Sequence, residues 1–106
     1  MEPAGRVLRI FEVETKPGCA GELLRNFATT SAAVVDGKPG NTGYFFGQGV
    51  DTGENSVMFV SSWESLDAIK AYFGEDWQQS YLPAGYENLI ERCSVRHFDM
   101  TGGWNI

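Results

Sequence analysis

TGYFFGQGVDTGENSVMFVSSW, residues 42–63, contains two apolar, strand-like runs separated by a polar turn. TGYFFGQGV (42–50) is aromatic and β-prone, DTGEN (51–55) has turn chemistry, and SVMFVSSW (56–63) is strongly apolar, so an antiparallel hairpin is the natural pairing. Successive side chains of a strand point to opposite faces. In the second run Val57, Phe59 and Trp63 therefore point one way while Met58 and Val60 point the other, and both faces are apolar. GQGVDTG within this stretch is not a phosphate loop: its spacing fits neither the dinucleotide nor the Walker pattern, and no helix follows it.

Working outward, RVLRIFEVET (6–15) reads as a strand, with Val7, Phe11 and Val13 opposing Leu8 and Ile10. Lys16-Pro17-Gly18 breaks it. From Ala20, the positions Leu23, Leu24, Phe27, Ala28, Ser31, Val34 and Val35 recur at helical spacing, and the breaker-rich run 36–41 ends that helix. After the hairpin, Ser65 is placed to cap a second helix with Asp67 in its first turn, where the helix dipole favours an acid. Leu66, Ile69 and Phe73 form its buried stripe, and Gly74 closes it. FGEDWQQSYLP (73–83) follows as a connection, YENLIER (86–92) is a short helix or irregular, CSVRHFDM (93–100) reads as the last strand, and TGGWNI (101–106) is a tail.

The order β-α-β-β-α-β predicts an α+β, ferredoxin-like fold: one domain over 1–106, core about 6–100, with a four-stranded antiparallel sheet and two helices on one face. Two helices cover only one side of a sheet that is apolar on both. A second copy of the same sheet is the simplest further cover, which predicts a homodimer.

The bulk properties narrow the function. A net charge of −6 opposes phosphate backbones and anionic bilayers, so neither nucleic acid nor membrane is expected as a partner. No apolar run reaches the roughly 18 residues needed to span a bilayer. Arg9 and Glu12 interrupt the apolar N-terminal stretch where a signal peptide needs a continuous one, so a cytoplasmic protein is expected. Two cysteines 74 positions apart and a single histidine give no zinc pattern, and reduced thiols are the expected state, although a disulfide is open.

SSWESLDAIKAYFGEDWQQSYLP followed by SVRHFDM, together with the opening strand and Lys16-Pro17-Gly18, resembles the antibiotic biosynthesis monooxygenase family of dimeric α+β barrels. The resemblance implies sheets packed face to face in a homodimer, with a small-molecule pocket between sheet and helices of each subunit. It implies activities ranging from metal- and flavin-free oxidation of aromatic polyketides or quinols to haem degradation, and the fold leaves function open between them. Trp63 matches the family tryptophan. The first-strand Asn and connection His of haem-degrading relatives have no counterpart here, because the connection carries Ser80, Tyr81 and Leu82.

Candidate site residues follow from both lines. His97, the one histidine, is the available general base at neutral pH, with a structural histidine as the alternative. Trp63, with Phe59 and Ser61 on the same strand face, would wall a pocket or serve as an ordinary sheet anchor. Trp77 and Tyr81, four apart, would share one face of a helical turn and close a cavity mouth as a lid, or pack in core or interface. Tyr72 lies off the helix stripe and would face solvent or cavity, and Glu75 and Asp76 would cap the turn after Gly74. The expected function is a cofactor-independent, monooxygenase-like protein acting on a small aromatic or quinol-type molecule, with no metal, flavin or other cofactor. The alternatives are a non-catalytic dimeric barrel binding a small apolar ligand and, third, a haem-binding protein.

Overall fold

The strands of residues 6–100, the part of the chain described by the computed structural model, pair in the order β2-β3-β1-β4, all antiparallel. β1 is Val7–Thr15, β2 Asn41–Gln48, β3 Ser56–Trp63 and β4 Ile90–Asp99. The two central strands, β3 and β1, carry the most apolar runs, and the two helices connect β1 to β2 and β3 to β4, each a central strand to an edge strand. The expected tail, 101–106, lies outside the described residues.

The first helix runs from 20 to 35 and is α-helical over Ala20–Asn26 and Ala32–Val35, with a π-turn at Phe27–Ser31 between them. The π-turn has an identifiable cause. Tyr86, fully buried in a 3-10 turn at Tyr86–Asn88, donates its hydroxyl to the Asn26 carbonyl at 3.2 Å and accepts from Ser31 Oγ at 2.6 Å. An outside hydroxyl inserted into the helical ladder loosens it by one residue. The second helix, Leu66–Phe73, starts as its sequence demands: the Ser65 hydroxyl accepts from the Ala68 N–H at 3.1 Å, and Asp67 stands in the first turn. It stops at Gly74, whose φ of 78° and ψ of −156° lie where side-chain-bearing residues are strained.

Two boundaries differ from the sequence expectation. The last strand begins at Ile90 rather than at 93, because Leu89 and Ile90 are buried and the chain pairs Ile90 with Thr15 across a register shift. Glu75 and Asp76 form a 3-10 turn, Gly74–Asp76, and neither side chain caps it; Asp76 contributes its carbonyl, which accepts from the Gln79 N–H at 2.8 Å.

The two faces of the sheet are distinct in composition. Cross-strand register puts Phe45, Val60 and Ile10 in one row of the uncovered face and Ser62, Leu8 and Phe98 in the next. Phe45 on β2 is 50% exposed, Met58 on β3 38% and Phe98 on β4 46%, so this face presents exposed apolar side chains around the buried Val60. On its β4 side the same face carries the ion pairs Arg96–Glu12 and Arg92–Glu14. No helix of the described residues is long and apolar enough to cross a membrane.

Candidate active site

On the helix-covered face the register produces four rows, and two of them are largely apolar. Phe46, Phe59, Phe11 and Val95 form one row, and Val57, Val13 and Cys93 fall in another with Gln48. Between the phenylalanine row and the row of Trp63 and Val7 lies a polar stripe: Tyr44, Ser61, Arg9 and His97. Phe27 of the first helix sits over the phenylalanine row, with ring centroids 5.4 Å from Phe59, 6.0 Å from Phe46 and 6.2 Å from Phe11. Such edge-on contacts secure one end of the core.

The polar stripe sets this face apart from an ordinary core. Arg9 is only 6% exposed, in a position where a strand of Val7, Phe11 and Val13 presents its core side. Its guanidinium donates through Nη1 to the Trp77 carbonyl and through Nη2 to the Gln79 carbonyl at 2.9 Å, and it lies 3.8 Å from the centre of the Phe73 ring. Nη1 also meets His97 Nε2 at 3.0 Å. A guanidinium has only donors, so Nε2 is the acceptor and the imidazole proton resides on Nδ1. Burial, and secondly the Arg9 charge, hold the His97 pKa down to about 4, so the ring is neutral at pH 7. Burial lowers the Arg9 pKa to about 10, which leaves it cationic there.

Above Arg9, Ser61 and Phe59 is a cavity of about 50 Å³, bounded by Phe11, Phe73 and Val95 and by Ser31, Val34 and Val35 of the first helix, with Tyr81 and Pro83 at its mouth. Val34, Phe73 and Tyr81 also wall a vestibule of about 260 Å³, which Tyr72 completes. The inner chamber has room for a few waters and the vestibule for a ring. A separate, wider cleft of about 570 Å³ lies beyond Arg9, where Trp77, Gln78, His97, Phe98 and Asp99 line it.

The expected site residues divide between these spaces. Phe59, Ser61 and Tyr81 line the inner cavity, and Tyr72 the vestibule, with its hydroxyl donating to the Val34 carbonyl. Trp63 does not reach either. It is wholly buried behind Ser61, to whose Oγ its indole N–H donates at 2.9 Å, and it packs on Tyr72 and Phe73 at 5.5 and 5.7 Å. Nor do Trp77 and Tyr81 share a face: residues 77–81 are not a helical turn, and Trp77 turns away to pack on His97 at 5.0 Å while Tyr81, 56% exposed, stands over the cavity. The two carbonyls held by Arg9 account for this, because they pin the chain between the two aromatics. His97 lines the outer cleft, with its lone pair engaged by Arg9.

Sequence reading passed over Arg9. The signal was present in VLRIFEV, where an arginine interrupts the core-facing alternation of Val7, Phe11 and Val13. Both cysteines are free thiols.

A family model described as antibiotic biosynthesis monooxygenase matches residues 6–82. The chain belongs to that family. No curated protein matches it in sequence. Among solved structures, the haem-free haem-degrading protein of Mycobacterium tuberculosis is 26% identical, with 97% of this chain and 99% of that one covered and a TM-score of 0.70. SnoaB, a cofactor-independent oxygenase of Streptomyces nogalater solved as a mutant, is 17% identical, covering 97% of this chain and 100% of that one, with a TM-score of 0.72. Both structures share the overall fold seen here.

The residues present do not fit a haem. The 74–85 connection has no histidine, and His97 has its acceptor nitrogen engaged by a guanidinium rather than open to an iron.

Proposed function

We propose that the protein is a monooxygenase of this family that oxidises a small aromatic or quinol-type molecule without metal or flavin, acting as a homodimer through the uncovered face of its sheet. The observation that carries this reading is the cavity itself. An aromatic-walled space over Phe59 and Phe73, open past Tyr81 and Tyr72, contains a short polar floor of Arg9 and Ser61. Apolar walls with a few convergent polar groups are what a planar, partly oxygenated ligand requires. An electron-rich phenol, once ionised, can pass an electron to O2 directly. With a methylene substrate, one oxygen atom ends on carbon as a carbonyl and the other leaves as water with the two hydrogens displaced. Phe59, Ser61, Tyr72 and Tyr81 are assigned to substrate contact. Trp63 is assigned to fixing Ser61 from behind, Trp77 to packing on His97, and His97 to orienting Arg9.

The test is oxygen uptake over a panel of hydroquinones and anthrones. Protein-dependent uptake with at least one, reduced by Ser61→Phe, which fills the chamber, supports the reading. Saturable binding with no uptake for any member would replace it with a non-catalytic binding protein. The 26% identical haem-degrading relative favours a haem titration beside it; the donor set here predicts no Soret shift, and a stoichiometric shift abolished in His97→Ala would reverse that.

A further inference from the structure

A buried positive charge usually has a negative one beside it, because taking a lone ion out of water is costly. Arg9 has none. The ion pairs among the described residues, Arg96–Glu12 and Arg92–Glu14, stand on the opposite face of the sheet. What surrounds the guanidinium is two main-chain carbonyls, a neutral imidazole and the face of Phe73, all of them dipolar or quadrupolar partners. These contacts occupy three of its five N–H groups, two on Nη1 and one on Nη2. The same side chain forms part of the wall of the inner cavity, where Ser61 adds a small hydroxyl-bearing residue and the remaining walls are apolar.

We infer that Arg9 is the anion-recognising group of this pocket and that the ligand is an aromatic molecule bearing one ionised acidic oxygen group, a carboxylate or a phenolate, which enters the inner chamber first. Size supports that orientation. The chamber of about 50 Å³ accepts an acidic group but not a ring, whereas the adjoining vestibule of about 260 Å³ between Phe73, Tyr72 and Tyr81 accepts a ring. Charge supports it as well: a guanidinium kept cationic in an apolar cavity interacts with an anion far more strongly than it would in water. The protein as a whole carries −6, so a single cation recessed in an acidic molecule selects for an anion small enough to reach it. This inference rests on the cavity being the ligand site proposed above.

The experiment is a binding titration, by tryptophan fluorescence and by proton NMR, with naphthoate against its neutral isostere naphthamide, and with pentafluorophenolate against phenol. Naphthoate or pentafluorophenolate is expected to bind about tenfold or more tighter than its neutral counterpart, as hydrogen bonds to charged groups allow; which of the two shows the preference identifies carboxylate or phenolate as the acidic group. Arg9→Met should abolish the preference, so that charged and neutral members of each pair bind equally, whereas a purely structural arginine would change both members alike and leave their ratio intact. Arg9→Gln serves if Arg9→Met fails to fold: loss of the preference in it assigns the preference to the guanidinium, and a preference kept in this neutral variant overturns the role of Arg9. Equal binding of charged and neutral members by the unaltered protein overturns the role of Arg9 and leaves the pocket intact. No binding of any of the four overturns the pocket together with the inference.

Discussion

At the scale of single residues, the Arg9–His97 contact determines what the one histidine can do. A free imidazole near neutrality would be a competent base. Here the nitrogen that would accept a proton already accepts from a guanidinium, and protonating it would set two cations 3.0 Å apart. The pKa of about 4 lies below the value of about 6.5 for an unfolded chain, so between those values the unfolded state takes up a proton that the folded state refuses. Stability from this source is therefore fully present above about pH 6.5 and is lost as the pH falls towards 4. Urea midpoints should decline over that window, and the decline should be absent in His97→Gln. An NMR titration of His97 should give a midpoint near 4 that rises in Arg9→Met, though not fully to 6.5, because burial is the larger cause. A midpoint near 6.5 in the unaltered protein would mean that the ring is solvated and the contact is not made. Trp63 is read at the same scale. Wholly buried against Tyr72, Phe73 and Ser61, it is a core anchor, and Trp63→Ala should cost about 3–5 kcal/mol in denaturant unfolding.

At the scale of elements, the second helix and the connection after it position the pocket mouth. Ser65→Ala removes the hydroxyl that accepts from Ala68 and should cost about 1 kcal/mol, read from the shift in the urea midpoint. Gly40 is more constrained. It has φ of +84°, and a Cβ there would come within 2.5 Å of the Ala68 Cβ, so the start of β2 packs directly on this helix. Gly40→Ala combines backbone strain with a clash and should destabilise by more than Ser65→Ala. The helix boundaries were legible because capping and breaking are local chemistry: a serine, an acid and a glycine at fixed offsets suffice. The connection at 74–81 was legible only as an interruption. The expected helical turn would have put Trp77 and Tyr81 side by side, whereas a side chain 68 positions earlier in sequence holds the Trp77 carbonyl and separates them. No window centred on 73–83 contains that arginine.

At the scale of the whole molecule, the exposed aromatic and aliphatic rows of the sheet predict association. Phe45 and Met58 contribute to this face while remaining substantially exposed in a single subunit, so changing them should not disturb the interior. Sedimentation equilibrium is expected to give a dimer at micromolar concentration, and Phe45→Glu with Met58→Lys should shift it to monomer with the circular dichroism unchanged. A monomer for the unaltered chain would leave this face without the partner proposed for it.

The amino-acid sequence by itself determined the strand and helix order, the Ser65 cap and Gly74 stop of the second helix, the antiparallel hairpin and the two apolar faces of the sheet, because each follows from residue spacing within a few positions. It also carried the family resemblance. The composition of the site was decided only by the tertiary structure. Tyr44, Ser61, Arg9 and His97 come from four different strands and meet in one row through register. Burial then turned an arginine in a strand into the one recessed cation of the cavity, engaged the histidine and sent Trp63 behind the wall it was expected to form. Charge, pKa and access depend on which groups lie within a few ångströms after folding, and for this site those groups are up to 88 residues apart in the chain.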